Sequence, residues 1–144
     1  MNGMYFSYKE IDKVENWEEA LYKAAADALH SKVITALYLK EVVDVVEQAK
    51  TMLVINDDTV LLHAEPSENV RKDCLCYLKL DESVGFFNKK VKHVFLFGAR
   101  TPDYHLKLLK WITKFTMEAS TSHKLYERDL IHGYFTKAFE HVMP

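Results

Sequence analysis

The stretch Thr59-Val60-Leu61-Leu62-His63-Ala64-Glu65-Pro66 decides the fold class. Four residues of strand-forming character end on an imidazole, and Pro66 breaks the run three residues later. Downstream, His93 to Ala99 is nearly continuous in hydrophobicity, as a strand buried on both faces should be. Thr101-Pro102-Asp103-Tyr104-His105 follows it with the stop-start chemistry of a junction between strand and helix. Strand, histidine, strand, helix and histidine in this order describe an α/β protein. The two imidazoles stand at element boundaries, where such proteins place their chemistry.

Outward from this block, the hydrophobic period assigns the remaining elements. Met4 to Tyr8 reads as a short first strand. Asn16 is a helix N-cap before Trp17, with Glu18 and Glu19 in the first turn. Trp17, Ala20, Leu21, Ala24, Ala25, Ala28 and Leu29 carry the 3.6-residue period to about His30. Ser31 to Thr35 is a turn, and Leu37 to Ala49 supports a second helix. Met52 to Ile55 and Cys74 to Leu80 read as strands, and Asp81 to Lys90 as a loop around Gly85. After the helix that opens at Thr101, Ser122–His132 and Gly133–Val142 read as two short terminal helices. The expectation is one domain over residues 1–144, with a mixed sheet of about five strands flanked by helices on both sides.

Bulk properties exclude several function classes. The 144 residues include 49% hydrophobic and 28% charged side chains, with a formal net charge of −2, so no nucleic-acid partner is implied. No apolar run is long enough to span a bilayer and no signal peptide is evident, which points to a cytoplasmic chain. Cys74 and Cys76 would share one face of a strand, wrongly aimed for a relaxed disulfide. Free thiols in a reducing compartment are expected.

Chemistry concentrates in His63 and His105. A neutral imidazole is a nucleophile near pH 7, and a second one can donate to whatever the first has accepted. If their strands are neighbours, both rings reach one pocket, and the start of the helix before His105 favours an anion there. Such a sparse site suffices for a transferable phosphoryl group, whose transfer needs mainly positioning and charge stabilisation. Taken singly, each histidine reads equally as ordinary packing: a partly buried strand end, or a helix cap. His93 reads as a strand entrance without chemistry, and His30, His123, His132 and His141 as surface residues. His63, His105 and Asp103 are possible zinc ligands by type, but their spacing matches no metal motif. Phe86 and Phe87 are read as loop residues packing on the sheet, with an exposed anchor for a partner protein as the alternative.

From Trp17 to about Phe115 the chain resembles the enzyme IIA component of the sugar phosphotransferase system (PTS), in the mannitol/fructose superfamily and nearest its ascorbate-type branch. Val60-Leu61-Leu62-His63-Ala64-Glu65-Pro66, Val70 to Leu80, Val94 to Ala99 and Asp103-Tyr104-His105-Leu106 carry the resemblance. It implies that His63 accepts a phosphoryl group from the phosphocarrier HPr as a tele-phosphohistidine. His63 would then pass the group to a cysteine of an enzyme IIB, with a membrane enzyme IIC downstream. His105 would orient or stabilise the phosphorylated state, and no metal or diffusible cofactor is implied. Several departures matter. The family's arginine two residues after the histidine is Glu65 here, an anion where a phosphate-pairing cation would stand. The glycine of the preceding turn is Asn56 or Asp57, and an arginine near the end of the second helix is absent, with Glu47 and Gln48 there. Lys50 or Arg100 are candidate replacement cations. Glu65 also motivates a second reading, a diverged, non-catalytic EIIA-like module that regulates or binds a protein.

Overall fold

A two-residue turn at Phe87 and Asn88 folds β3 (Cys74–Phe86) back onto β4 (Lys89–Gly98) as an antiparallel pair. This computed structural model describes residues 4–119 and 126–142. Two more strands flank the hairpin. β1 (Tyr5–Ile11) runs parallel to β3, and β2 (Thr59–Leu62) runs parallel to β4, giving the order β1-β3-β4-β2. Four strands stand where about five were expected. Of Met52 to Ile55, the first two residues end a 3-10 turn (Lys50–Leu53), and Val54 makes a single bridge to Val60. Leu53 is buried there, so the apolar run marks core contact rather than a strand.

Alternation along the strands feeds both faces of the sheet. Cys74, Cys76, Leu78, Val94 and Leu96 point into one core, covered by α1 (Trp17–His30) and α2 (Ala36–Ala49). Leu75, Tyr77, Phe95 and Phe97 point into the other, where Leu108, Ile112 and Phe115 of α3 (Pro102–Ala119) and Ile131 of α4 (Arg128–Val142) meet them. The central strands are therefore buried on both sides, which explains the unbroken hydrophobicity of Val94 to Phe97. The cysteines are free and buried in the first core.

Local chemistry starts each helix. The Asn16 side chain accepts from the Glu19 N–H at 2.8 Å, and the Glu19 carboxylate accepts from the Glu15 N–H at 2.6 Å. Thr35 caps α2 through the Tyr38 N–H at 3.2 Å. The expected loop from Asp81 to Lys90 is instead strand, with a register irregularity between Lys79 and Val84. Asp81, Glu82 and Ser83 stay exposed beside it, while Val84 and Phe86 turn inward. Phe87, the first of the two turn residues, has φ 59° and stacks on Trp17 with ring centroids 6.1 Å apart. The two expected terminal helices are one from Arg128 onward, running through Gly133, where a Cβ would meet nothing within 4 Å. The part of that expectation from Ser122 to Leu125 lies outside the described residues.

Candidate functional site

Register delivers the first imidazole. β2 ends with Leu62 paired to Leu96, so the next residue, His63, comes to lie beside Phe97. Its ring stacks on the phenyl ring of Phe97, with centroids 5.0 Å apart and planes at 22°. The second imidazole arrives from the same, C-terminal end of the neighbouring strand β4. After β4 ends at Gly98, Thr101 caps α3 by accepting from the Tyr104 N–H at 3.2 Å and the His105 N–H at 2.9 Å. Pro102 takes the first helical position, where its missing N–H costs nothing. His105 is then one turn into α3, with its ring centroid 5.2 Å from that of His63 and the planes at 70°. Phe97 lies 5.1 Å from His105 as well, so one phenyl ring is the floor for both.

Both histidines are half-buried. Burial, and to a lesser degree the nearness of His105, pulls the His63 pKa down to about 4, so its imidazole is neutral at pH 7. Burial also lowers the His105 pKa, and the Glu65 carboxylate partly opposes that shift. Glu65 therefore acts on the second histidine, favouring its protonated form. The Nδ1 atom of His105 is buried without a hydrogen-bond partner, which leaves Nε2 as the nitrogen open to a ligand.

Some sequence expectations fare differently. The helix start offers an anion less than expected: the first turn's N–H groups at Tyr104 and His105 are taken by Thr101, and Asp103 adds a negative charge. No ion pair or hydrogen bond joins Lys50 or Arg100 to either histidine among the described residues. Arg100 instead donates its backbone N–H to Asp73 at 2.7 Å. Leu62, next to His63, is buried in the first core, whereas Leu106, next to His105, is 50% exposed. Among the described residues no group of three metal-ligating side chains forms, so Asp103 does not join the histidines in a zinc set.

Two features escaped the sequence reading. His93 is buried rather than a strand entrance. Its Nδ1 lies 2.6 Å from the Tyr77 hydroxyl, Nε2 lies 3.8 Å from the Asp58 carboxylate, and its ring stacks on Tyr126 at 3.9 Å. This cluster borders a cavity of about 320 Å³ at the start of β2, the end away from His63. The other is Tyr38, whose hydroxyl reaches the backbone beside His63. Its signal was a tyrosine on the apolar stripe of α2, where a buried hydroxyl must find partners.

The sequence profile of the phosphoenolpyruvate-dependent sugar phosphotransferase system EIIA 2 family matches residues 8–131. The chain belongs to this EIIA family. The match extends beyond both ends of the Trp17–Phe115 resemblance. No curated protein matches the chain by sequence. Among solved structures, the Streptococcus mutans protein PtxA, described as a PTS IIA, shares 16% identity at a TM-score of 0.78, over 93% of this chain and 89% of that one. IIA of the Escherichia coli mannitol system, solved in complex with phosphorylated IIB, shares 16% identity at a TM-score of 0.71, over 88% and 92%. The nitrogen regulatory protein IIA-Ntr of Neisseria meningitidis shares 13% at 0.68, over 85% of each. At these identities the likeness is one of fold, the fold of EIIA phosphoryl carriers. No helix among the described residues is long and apolar enough to cross a membrane.

Proposed function

We propose that this EIIA chain carries a phosphoryl group on His63, taking it from phospho-HPr and giving it to a cysteine of an enzyme IIB. The observation that supports this most is the pairing of two half-buried imidazoles 5.2 Å apart on one phenyl floor. The lone pair of neutral His63 attacks the phosphorus in line. A nitrogen–phosphorus bond forms on His63 as the one on the donor's imidazole breaks, its electron pair returning to the donor. In the second step the cysteine thiolate of IIB attacks, and His63 leaves as a neutral imidazole. His105, through Nε2–H, donates to a phosphoryl oxygen at about 2.8 Å in the transition state and in the phosphorylated chain.

Incubation with phosphoenolpyruvate, enzyme I and HPr is expected to add one acid-labile phosphate, lost in His63→Ala. His105→Ala should slow phosphorylation about 100-fold without abolishing it, because one donor to the transferring group is removed while the nucleophile stays. No mass increase with active donors overturns the reading.

Glu65 supports a second reading, a diverged module that keeps the fold for regulation or protein binding. Its carboxylate opposes an incoming dianion, and the protonation it favours at His105 is outweighed by burial, which leaves that ring a neutral donor rather than a cation. Glu65→Arg separates the two. A large gain in phosphorylation rate means the natural chain is impaired, and little change means that another cation already serves the site.

A further inference from the structure

Tyr38 lies in the first turn of α2 with no exposed surface. Its hydroxyl lies 2.8 Å from the Phe97 carbonyl, 3.1 Å from the Ala64 amide nitrogen and 3.3 Å from the Ala64 carbonyl. A phenol has one proton, and the shortest contact takes it. The hydroxyl thus donates to Phe97 and accepts from the Ala64 N–H. Direct pairing of β2 and β4 ends at Leu62 and Leu96, two residues before Ala64 and one before Phe97. The oxygen of Tyr38 therefore joins the two strands just past their last paired residues. His63 is the residue enclosed between the last strand pair and this bridge, and Phe97 supplies both the bridged carbonyl and the ring under His63.

We propose that Tyr38 is a positioning residue for His63, its hydroxyl holding the backbone of Ala64 to Phe97 so that the imidazole stays seated on the phenyl floor. The role of that seating in phosphoryl transfer rests on the carrier reading above. Packing alone does not call for the hydroxyl. The neighbours on the buried stripe of α2 are Leu39, Val42 and Val46, among which phenylalanine would fill the same space. Ala64 is 3% exposed and Phe97 is fully buried, so water cannot readily replace the lost oxygen. Burial holds the phenol well above its ordinary pKa, keeping it a neutral donor throughout the working range.

Without the bridge, the chain after Leu62 is free to drift, and a displacement of about 1 Å at a nucleophile costs about 100-fold in rate. Tyr38→Phe is expected to lower kcat for transfer from phospho-HPr by about 10- to 100-fold. KM for the donor should stay within about two-fold, since the buried ring touches no partner. Amide hydrogen exchange supplies a readout that general destabilisation does not move selectively. In the unsubstituted chain the Ala64 amide should be protected like that of Leu62. In Tyr38→Phe its exchange should speed by about ten-fold or more while Val60 keeps its protection. Val42→Ala, which loosens the same helix but keeps the hydroxyl, should retain kcat.

An unprotected Ala64 amide in the unsubstituted chain overturns the proposal, and this arm needs no variant to fold. So does an unchanged kcat in Tyr38→Phe, or a loss in Val42→Ala equal to that of Tyr38→Phe at matched stability. A chain that accepts no phosphate at all defeats the carrier reading instead, and the exchange arm still decides whether Tyr38 holds Ala64.

Discussion

His63 shows how one residue carries both a chemical and a thermodynamic consequence. Its pKa of about 4 in the folded chain stands below the ordinary histidine value of about 6.5 that it regains on unfolding. Between those values the unfolded chain binds a proton that the folded chain does not, so acid favours unfolding. The stabilisation is present in full above about pH 6.5 and is lost as pH falls toward about 4, at most about 3 kcal/mol from this group. His105, shifted in the same direction, adds to the slope. Urea midpoints measured from about pH 7.5 down to about pH 4.5 should therefore fall, and should fall less steeply in His63→Gln. An equal slope in the variant would place the acid sensitivity elsewhere. The same shift keeps the acceptor neutral across the physiological range, so the rate of phosphorylation should not decline until pH nears 5.

The junction of β4 and α3 decides whether His105 meets His63. Gly98 is the last residue of β4, and a Cβ there would come 3.1 Å from Cγ2 of Val70, 3.3 Å from its Cγ1 and 3.3 Å from the Cys74 Sγ. Valine and cysteine in a packed core yield little, so Gly98→Ala should cost about 1 to 2 kcal/mol in denaturant unfolding. Gly85, in the outer part of the hairpin, would meet nothing within 4 Å and has no positive φ. Gly85→Ala should be neutral or stabilise by up to about 1 kcal/mol through the unfolded chain. Equal effects at the two glycines would mean that close approach at Gly98 does not matter.

The sequence made the strand into His63, the strand Val94 to Phe97 and the helix around His105 legible, because each joins a clear hydrophobic period to a chain break. It misread Met52 to Ile55, since a short apolar run can end a 3-10 turn that buries one side chain, Leu53, as well as it can form a strand. It misread Asp81 to Lys90 because polar residues beside a register irregularity look like a loop. Tyr38 and His93 were invisible as partners for a different reason. Their hydrogen bonds span 59 and 16 positions of sequence, to Phe97 and Tyr77, and no local pattern encodes them.

At the scale of the molecule, one sheet serves two cores, and the two tryptophans happen to report on them separately. Trp17 packs against the α1 and α2 side, near Phe86 and Phe87, and Trp111 on α3 packs against the other. Consecutive residues of β3 alternate between the cores, Cys74, Cys76 and Leu78 on one side and Leu75 and Tyr77 on the other. Neither helical layer can leave without exposing a face of strands whose other face is still packed. A single cooperative transition is expected on that ground. In Trp17→Phe and Trp111→Phe, the remaining tryptophan reports one core each, and the two fluorescence midpoints in urea should agree once each variant's own stability change is measured by circular dichroism. Ile112→Ala, in the second core, should lower the midpoint seen by Trp17 as much as that seen by Trp111, at a cost of about 2 to 4 kcal/mol. Because His63 leaves an edge strand and His105 stands on the layer beyond it, the imidazole pair exists only while both cores hold. A midpoint for Trp111 well below that for Trp17 would instead show the α3 layer melting alone, taking His105 from the site while His63 stays folded.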